Sequence, residues 1–303
     1  MRAASAVRHF LFAALVAGTA LSGGVIAPAE AAPARGRASR PATHAGRPGA
    51  RAPRRPRNPV RRAPAIPWLK GNLPNVQAQG AFILDLTDGH ELYARKPDEP
   101  RPIASISKLA AALTVVDRGL RLDGMTTITR SDIDIARGGA RSRLFEGMTL
   151  SNRDLLYAAL LGSDNRAVPA LGRAVGLDAT QLAAAMTAKA KRLGLSHTRF
   201  VEPTGLSPEN VSTPREIVDL MRAVMDHPVL GEVTRTLEYD AHPVGRPVLR
   251  YNNTHRPASR ANTSVLGGKT GFNNAARYCL VLAACLGLHW SGKTGASSAT
   301  YQE

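Results

Sequence analysis

The chain has 303 residues, 44% of them hydrophobic, and a formal net charge of +17. This length allows one or two domains, and the hydrophobic fraction excludes a wholly disordered chain. The two cysteines are too few for a disulfide framework or for a zinc site built from cysteines.

Residues 1–31 have the three parts of a secretory signal peptide. Two arginines make a positively charged start, residues 10–20 are almost entirely apolar, and Ala29-Glu30-Ala31 is a small-residue cleavage pattern. The apolar stretch is shorter than the roughly 20 residues that span a membrane, which argues against a retained anchor. We therefore expect cleavage near Ala31 and a protein of the periplasm or cell envelope.

Residues 32–65 form a linker that is almost entirely alanine, proline, arginine and glycine, with ten arginines and no acidic residue. Such a composition favours an extended, semi-rigid chain, either a plain spacer or an electrostatic tether to an anionic envelope surface. The linker has no aromatic residue on which a base could stack, so together with the secretory address it argues against a nucleic-acid partner. Residues 1–62 carry +11 of the net charge, which leaves only +6 for the remaining chain.

A regular pattern of strands and helices begins within a predicted domain of residues 66–286. Strands are predicted over residues 79–86 and 91–95, joined by the turn pair Asp88-Gly89, and over residues 265–272 and 276–286. Helices are predicted over residues 105–119, 155–161, 179–193 and 214–226. The order predicts an α/β protein of the α+β type, in which helices flank an antiparallel sheet built from both ends of the domain and a helical region is inserted between them.

Ser105-Ile106-Ser107-Lys108 places a serine and a lysine one helical turn apart on the same face. A buried lysine loses its proton more easily than a solvated one, and it can then accept the proton of a serine hydroxyl during nucleophilic attack. The alternative for this motif alone is a serine that caps the helix and a lysine that is solvated.

Two further motifs follow. Ser163-Asp164-Asn165 interrupts two helical runs, where the serine can relay a proton and the asparagine can bind a substrate amide; the alternative is a helix cap. Lys269-Thr270-Gly271 lies on a predicted strand after Gly267-Gly268, where small residues allow a substrate backbone to pair and the lysine and threonine can bind a carboxylate. The alternative is a plain strand end.

In this order, on helix, loop and strand, the three motifs are the signature of penicillin-binding proteins and class A β-lactamases. Over roughly residues 75–286 the chain resembles the low-molecular-mass penicillin-binding proteins, the D-alanyl-D-alanine carboxypeptidase and endopeptidase family (serine peptidase family S11). Residues 203–207 and 210–213 support the resemblance. Asn165-Arg166-Ala167 is more similar to the endopeptidase branch. The resemblance implies a β-lactamase/transpeptidase-like fold.

The resemblance also implies a role for each residue of the motifs. Ser105 would be the nucleophile that forms an acyl-enzyme, Lys108 its base and Ser163 a proton-transfer group. Substrate binding would fall to Asn165, Lys269, Thr270, Gly271 and Phe272, with the backbone N–H groups of Ser105 and Phe272 as the oxyanion hole. The implied partners are peptidoglycan stem peptides and covalent β-lactam inhibitors, and neither a metal nor another cofactor is implied.

Residues 287–303 depart from the family pattern. A further sheet strand and a terminal helix are expected after residue 286, but a short run of small and polar residues follows, with a second Lys-Thr-Gly at 293–295 in no strand pattern. We interpret the tail as truncated or frame-shifted, and we expect it to leave an apolar strand edge uncovered.

Three functions remain open. The intact motifs favour a secreted serine D,D-peptidase that remodels the cell wall, and the tail favours a non-catalytic envelope protein with an incomplete fold. A β-lactamase is the third: Glu202-Pro203 is similar to the loop that positions the deacylating water in class A enzymes. Those enzymes have an asparagine where this chain has Leu206, so we expect slow release of bound penicillin. The sequence does not distinguish carboxypeptidase from endopeptidase action.

Overall fold

The computed structural model of the chain describes residues 8–16, 69–70, 73–74, 76–254 and 265–287. The chain divides into two compact units, one of residues 1–19 with 77–303 and one of residues 20–76. The predicted linker and the tail beyond residue 287 lie outside the described residues, and so does the second Lys-Thr-Gly.

The described secondary structure consists of short strands around a long helical stretch. The strands are β1 (Arg8–Val16), β2 (Leu69–Lys70), β3 (Leu73–Pro74), β4 (Gly80–Asp85), β5 (Glu91–Arg95), β6 (Arg101–Pro102), β7 (Met125–Thr127), β8 (Thr149–Ser151), β9 (Val211–Ser212), β10 (Glu238–Ala241), β11 (Leu249–Asn252), β12 (Val265–Asn273) and β13 (Arg277–Gly287). The helices are α1 (Ser107–Asp117), α2 (Arg130–Ile135), α3 (Asn152–Leu160), α4 (Ala167–Ala174), α5 (Ala179–Arg192), α6 (Pro214–Asp226) and α7 (Pro228–Arg235).

The main sheet of the larger unit has five strands in the order β12-β13-β1-β4-β5, and every neighbouring pair is antiparallel. The hairpin of β12 and β13 places Lys269 opposite Val281, and the hairpin of β4 and β5 places Ile83 opposite Tyr93. These are the four predicted strands. The expectation of one antiparallel sheet built from both ends of the domain is therefore confirmed.

The central strand β1 is not among the predicted elements. It consists of residues from the predicted signal peptide, and it pairs with β13 from Arg8 opposite Gly287 to Val16 opposite Cys279. On its other side it pairs with β4 over residues 11–16. The edge of β13, which we expected to lie uncovered, is therefore paired with β1 over residues 279–287. A short continuous apolar run suits a central strand as well as a signal peptide, so its sequence pattern does not separate the two roles.

Two helices of the stretch between β6 and β10, α6 and α7, pack against this sheet, and α1 packs against other helices. Helix α1 is buried around almost its whole circumference, in keeping with its alanine, leucine and valine side chains. Helix α6 begins as predicted, with Thr213 accepting a hydrogen bond from the N–H of Glu216 at 3.1 Å and Pro214 in the first turn. Its buried residues include Ile217, Leu220 and Met221, and the helix contacts β1 and β4.

Other features bear on the function classes that the sequence leaves open. Within the described residues, no helix combines the length and the apolar character that crossing a bilayer requires. The same residues hold no group of three or more His, Cys, Asp or Glu side chains arranged to bind a metal ion. Cys279 and Cys285, both on β13, are free thiols.

Candidate active site

The three motifs meet at one cleft of about 1430 Å³. Its lining includes Ser105, Ser163, Asn165, Thr270, Gly271 and Phe272. The remaining two predicted site residues, Lys108 and Lys269, are each only 1% exposed and contact serines of this lining. All eight predicted residues therefore belong to one site.

Ser105 lies in a 3₁₀ turn, Ala104–Ile106, that runs directly into α1. Ala104 has a φ of 47°, a left-handed conformation that costs a non-glycine residue roughly 1–2 kcal/mol. The hydroxyl of Ser107 donates a hydrogen bond to the Ala104 carbonyl at 2.8 Å and so stabilises the turn. This strained turn sets the position of the Ser105 hydroxyl relative to the helix that carries Lys108.

Lys108 is completely enclosed by protein. Its Nζ lies 2.9 Å from Ser105 Oγ, 2.7 Å from Asn165 Oδ1 and 2.6 Å from the carbonyl oxygen of Thr204. Burial lowers the pKa of Lys108 to about 8, although the carboxylates of Glu202 and Asp164 act in the opposite direction. The alternative of a solvated lysine is therefore wrong, and the amine can accept the proton of the Ser105 hydroxyl.

Ser163 and Lys269 form a second serine–lysine pair. Ser163 lies between α3 and α4 with a φ of 54°, and Lys269 reaches it from β12 with 3.0 Å between Nζ and Oγ. The ammonium also donates to the carbonyl of Thr270 at 2.8 Å. Burial, and then the nearby charge of Lys108, hold the pKa of Lys269 well below its ordinary value. The second serine thus has a buried amine of its own.

Asp164 anchors the loop that carries Ser163 and Asn165. Its carboxylate accepts hydrogen bonds from the Ser142 hydroxyl at 2.7 Å and from the N–H of Arg166 at 3.0 Å. Its own N–H donates to the carbonyl of Ala158 at 2.9 Å. Burial raises the pKa of Asp164, while these hydrogen bonds oppose the shift. The middle residue of the motif therefore stabilises the loop on which Ser163 and Asn165 lie.

Strand β12 passes directly beside Ser105. A Cβ added to Gly271 would lie 2.9 Å from the Ser105 nitrogen and 3.0 Å from the carbonyl oxygen of Ile103, so glycine permits this close approach. The Thr270 hydroxyl lies 2.6 Å from that of Thr254, and Phe272 is 51% exposed at the wall of the cleft. Because β12 is an edge strand of the described sheet, it can pair with an extended peptide.

A sequence model of the D-alanyl-D-alanine carboxypeptidase family, peptidase S11, matches residues 69–288. The chain belongs to this family of serine peptidases. The matched stretch contains all three motifs and the two serine–lysine pairs. It also begins and ends within a few residues of the domain that the sequence predicts.

Similarity to individual proteins places the chain on the endopeptidase side of the family. The D-alanyl-D-alanine endopeptidase of Escherichia coli K12 is 39% identical over 69% of this chain and 67% of its own length, and that of Pseudomonas aeruginosa PAO1 is 39% identical over 72% and 71%. A D-alanyl-D-alanine carboxypeptidase of Streptomyces sp. K15 is 31% identical over 76% and 82%.

Solved structures confirm the fold. The crystal structure of the Streptomyces K15 DD-transpeptidase matches with a TM-score of 0.63 and 25% identity, covering 71% of this chain and 92% of that one. The D-alanyl-D-alanine carboxypeptidase of Mycobacterium tuberculosis matches with a TM-score of 0.60 and 27% identity, covering 73% and 86%. The predicted α+β fold of the transpeptidase type is therefore confirmed.

The sequence motifs do not predict two of the hydrogen bonds that Lys108 makes, those to Asn165 and to the Thr204 carbonyl. The resemblance assigns Asn165 to the substrate, but its Oδ1 accepts a hydrogen bond from Lys108. The Thr204 carbonyl is a backbone group, and no sequence motif indicates where a carbonyl points. The one sequence signal for this contact is the glycine at position 205, because glycine is typical of turns with a positive φ. The structure bears this out with a φ of 90° at Gly205.

Proposed function

We propose that this member of the family is a secreted serine D,D-peptidase that cleaves peptidoglycan peptides through an acyl-enzyme on Ser105, with endopeptidase action on cross-links. The observation that carries the proposal is the arrangement at the cleft, where each of two serine hydroxyls lies within 3.0 Å of a buried lysine amine. The names of the two relatives that share 39% identity support D-alanyl-D-alanine as the substrate class and endopeptidase as the activity.

In the proposed acylation, Ser105 Oγ attacks the carbonyl carbon of the scissile amide while Lys108 takes the hydroxyl proton. The backbone N–H groups of Ser105 and Phe272 stabilise the oxyanion that forms, and losing one such donor typically costs about 10²–10³ in rate. The carbon–nitrogen bond then breaks, and the proton that Lys108 took from Ser105 passes through Ser163 to the leaving amine. Water hydrolyses the ester, which releases the carboxylate and restores the Ser105 hydroxyl.

The proposed substrate lies along β12 as an added strand, so that its backbone pairs with the residues around Thr270 and Phe272. The amide nitrogen of Asn165 and the Thr270 hydroxyl supply polar contacts beside the nucleophile. The open cleft has room for the second stem peptide that a cross-linked substrate carries on its leaving-group side. Neither step of the reaction calls for a metal or another cofactor.

The β-lactamase alternative has two observations against it. Position 206 is leucine, where the class A pattern that we compared has an asparagine. The carboxylate of Glu202 accepts hydrogen bonds from its own turn, including those from the N–H groups of Thr204 at 2.7 Å and Gly205 at 2.6 Å. Its oxygens are therefore committed to the turn, and we expect a penicillin adduct on Ser105 to be released slowly.

Labelling with a fluorescent penicillin tests the proposal. We expect a covalent adduct on the full chain and none on the Ser105→Ala variant. Cross-linked muropeptide dimers and monomeric pentapeptides then identify the bond that is cut, and the proposal expects faster cleavage of the dimers. A soluble, folded chain that forms no adduct would overturn the enzymatic proposal in favour of the binding protein.

We propose the periplasm as the site of action, on the basis of the signal-peptide pattern and of a substrate that belongs to the envelope. N-terminal sequencing of the exported protein tests this, with Ala32 as the expected first residue. The ten arginines of the linker support a contact with an anionic surface. Co-sedimentation with anionic vesicles should be lost when these arginines are replaced by glutamine.

A further inference from the structure

The turn formed by residues 202–207 is hydrogen-bonded to both α1 and β12, the elements that lie on either side of it at the active site. Its Thr204 carbonyl accepts a hydrogen bond from Lys108, and its Gly205 carbonyl accepts one at 3.2 Å from Asn273 of β12. A Cβ added to Gly205 would lie 2.1 Å from the carbonyl oxygen of Ala104 and 2.8 Å from the nitrogen of Ser105. The turn is therefore packed directly against the backbone that carries the nucleophile.

The carboxylate of Glu202 is the centre of this turn. Its Oε2 accepts hydrogen bonds from the N–H and the hydroxyl of Thr204, at 2.7 and 2.6 Å. Its Oε1 accepts from the N–H groups of Gly205 and Ser207, at 2.6 and 3.2 Å, and from Asn210 Nδ2 at 3.0 Å. Five donors converge on the two oxygens, which fills the roughly four lone-pair sites of a carboxylate. The conformation of the turn thus depends on one side chain.

The orientation of the Lys108 amine depends on the position of the 202–207 turn, which supplies the Thr204 carbonyl. A neutral amine has two N–H bonds and one lone pair, and Lys108 Nζ has three neighbours within hydrogen-bond distance. Asn165 Oδ1 and the Thr204 carbonyl are acceptors only, so they take the two N–H bonds. The lone pair is then left to face the Ser105 hydroxyl, which is the arrangement that a general base needs.

We propose that Glu202 is a positioning residue, which sets the Thr204 carbonyl against Lys108 and thereby aims the amine at Ser105. The inference rests on the proposed acyl-enzyme function and adds to it a residue outside the three motifs. Glu202 does not touch the reacting atoms in this role, because its carboxylate acts on Lys108 through the backbone of Thr204.

Glu202 also acts on Lys108 through its charge. Three titratable groups face the amine: Glu202 from the turn, Asp164 from the loop between α3 and α4, and Lys269 from β12. The two carboxylates raise the pKa of Lys108, whereas a charged Lys269 would lower it. Removing the charge of Glu202 should therefore move the titration of Lys108 to lower pH, an effect that a purely structural residue would not have.

The test measures the rate of acylation by saturating fluorescent penicillin across about pH 6 to 10, the range in which the base titrates. Wild type is compared with Glu202→Gln, which keeps the shape of the side chain but presents an amide N–H₂ group to the donors of the turn. Glu209→Gln is the matched control, since it removes an exposed acidic side chain close by in the chain. Circular dichroism establishes that each variant is folded.

For Glu202→Gln we expect a maximal rate at least tenfold lower, since a displacement of about 1 Å can cost on the order of 100-fold, together with a midpoint at lower pH. Glu209→Gln should match wild type in both respects. A Glu202→Gln variant with the wild-type maximal rate would overturn the proposal, and so would a slower variant with an unchanged midpoint.

Glu202→Asp serves if the glutamine variant does not fold. It keeps the charge but shortens the side chain, so we expect the wild-type midpoint with a lower maximal rate; an unchanged maximal rate would count against the positioning role. A wild-type chain that is not acylated at all would overturn the proposed function and this inference together. An acylated wild type with an unaffected Glu202→Gln variant would overturn the positioning role alone.

Discussion

The two serine–lysine pairs of the cleft are assembled in different ways. Ser105 and Lys108 are three positions apart at the start of one helix, whereas Ser163 and Lys269 are 106 positions apart on a loop and a strand. The first pair depends on local helix geometry. The second depends on a sheet whose strands come from residues 8–16, 80–95 and 265–287. The pair of Ser105 and Lys108 should therefore be less sensitive to damage in the sheet than the pair of Ser163 and Lys269.

Removing β1 should produce the largest effect. A chain that starts at residue 32 leaves β13 without its nine-residue partner and β4 without its six-residue partner. Unpaired strands leave backbone groups without partners, so we expect a lower thermal unfolding temperature than for the full chain, in a chain that is still acylated by penicillin. Cell-free synthesis of both chains allows the comparison without export.

The matched control is a full chain that lacks only residues 32–65, which should fold like the intact protein. A chain starting at residue 32 that keeps full stability and acylation would show that the sheet does not need β1. The outcome also bears on the signal peptide, because residues 8–16 cannot be both cleaved off and the central strand of one mature chain.

Replacing each buried lysine by methionine compares the two pairs directly. Lys108→Met removes the proposed base, and we expect the rate of penicillin acylation to fall by about 10²–10⁴, the usual contribution of a general base. Lys269→Met leaves Ser105 and Lys108 in contact. The acylation rate should therefore fall by at most about 100-fold, the cost of a small displacement of a reacting group. Stopped-flow acylation measures both, and equal losses would show that the two pairs work as one unit.

The pH dependence of acylation reports on Lys108. Burial lowers its pKa to about 8, and only the neutral amine can accept the serine proton. We therefore expect the rate to rise about tenfold per pH unit below 8 and to level off above it, as for a single titrating base. A rate that does not change across this interval would show that Lys108 is not the base that limits acylation.

Gly205→Ala should disturb the contact between the 202–207 turn and the nucleophile. The added Cβ would lie 2.1 Å from the Ala104 carbonyl oxygen, in a residue whose φ is 90°. Gly176→Ala is a matched control, with a φ of 75° and nothing within 4 Å of the added Cβ. The control should lose roughly 1–2 kcal/mol of unfolding free energy, from its backbone conformation alone.

Gly205→Ala should lose more than its control and should also slow acylation, because the backbone of Ala104 must move. Urea unfolding and penicillin labelling measure the two effects. Equal stability and equal acylation in the two variants would mean that the turn accommodates the extra methyl group without moving the nucleophile.

The smallest effect is expected far from the cleft. Asp178 caps α5 by accepting a hydrogen bond from the N–H of Gln181 at 2.8 Å. Asp178→Ala should cost about 1 kcal/mol of unfolding free energy, the typical value for a lost helix cap. Acylation should stay at the wild-type rate, and a change in it would reveal coupling between α5 and the active site.

Local signals in the sequence predicted some elements of the fold correctly and missed one strand of the main sheet. Strand β5 is found at residues 91–95, as predicted, and α6 begins at the predicted Thr213 cap. These signals are local, since turn pairs and caps act within a few residues of the chain. Residues 8–16 are the contrary case, because nothing in an apolar run tells which strands will pair with it.

The sequence by itself predicted the strands of the antiparallel sheet, because turn pairs and apolar periodicity act within a few residues of the chain. Its three motifs carried the resemblance to the family, and that resemblance proposed the eight site residues. Only the tertiary structure decided that Lys108 bonds Asn165 and the Thr204 carbonyl, and that Glu202 holds the turn which supplies that carbonyl. These contacts join segments up to 96 positions apart. Burial among them also lowers the pKa of Lys108, because losing water disfavours the charged amine.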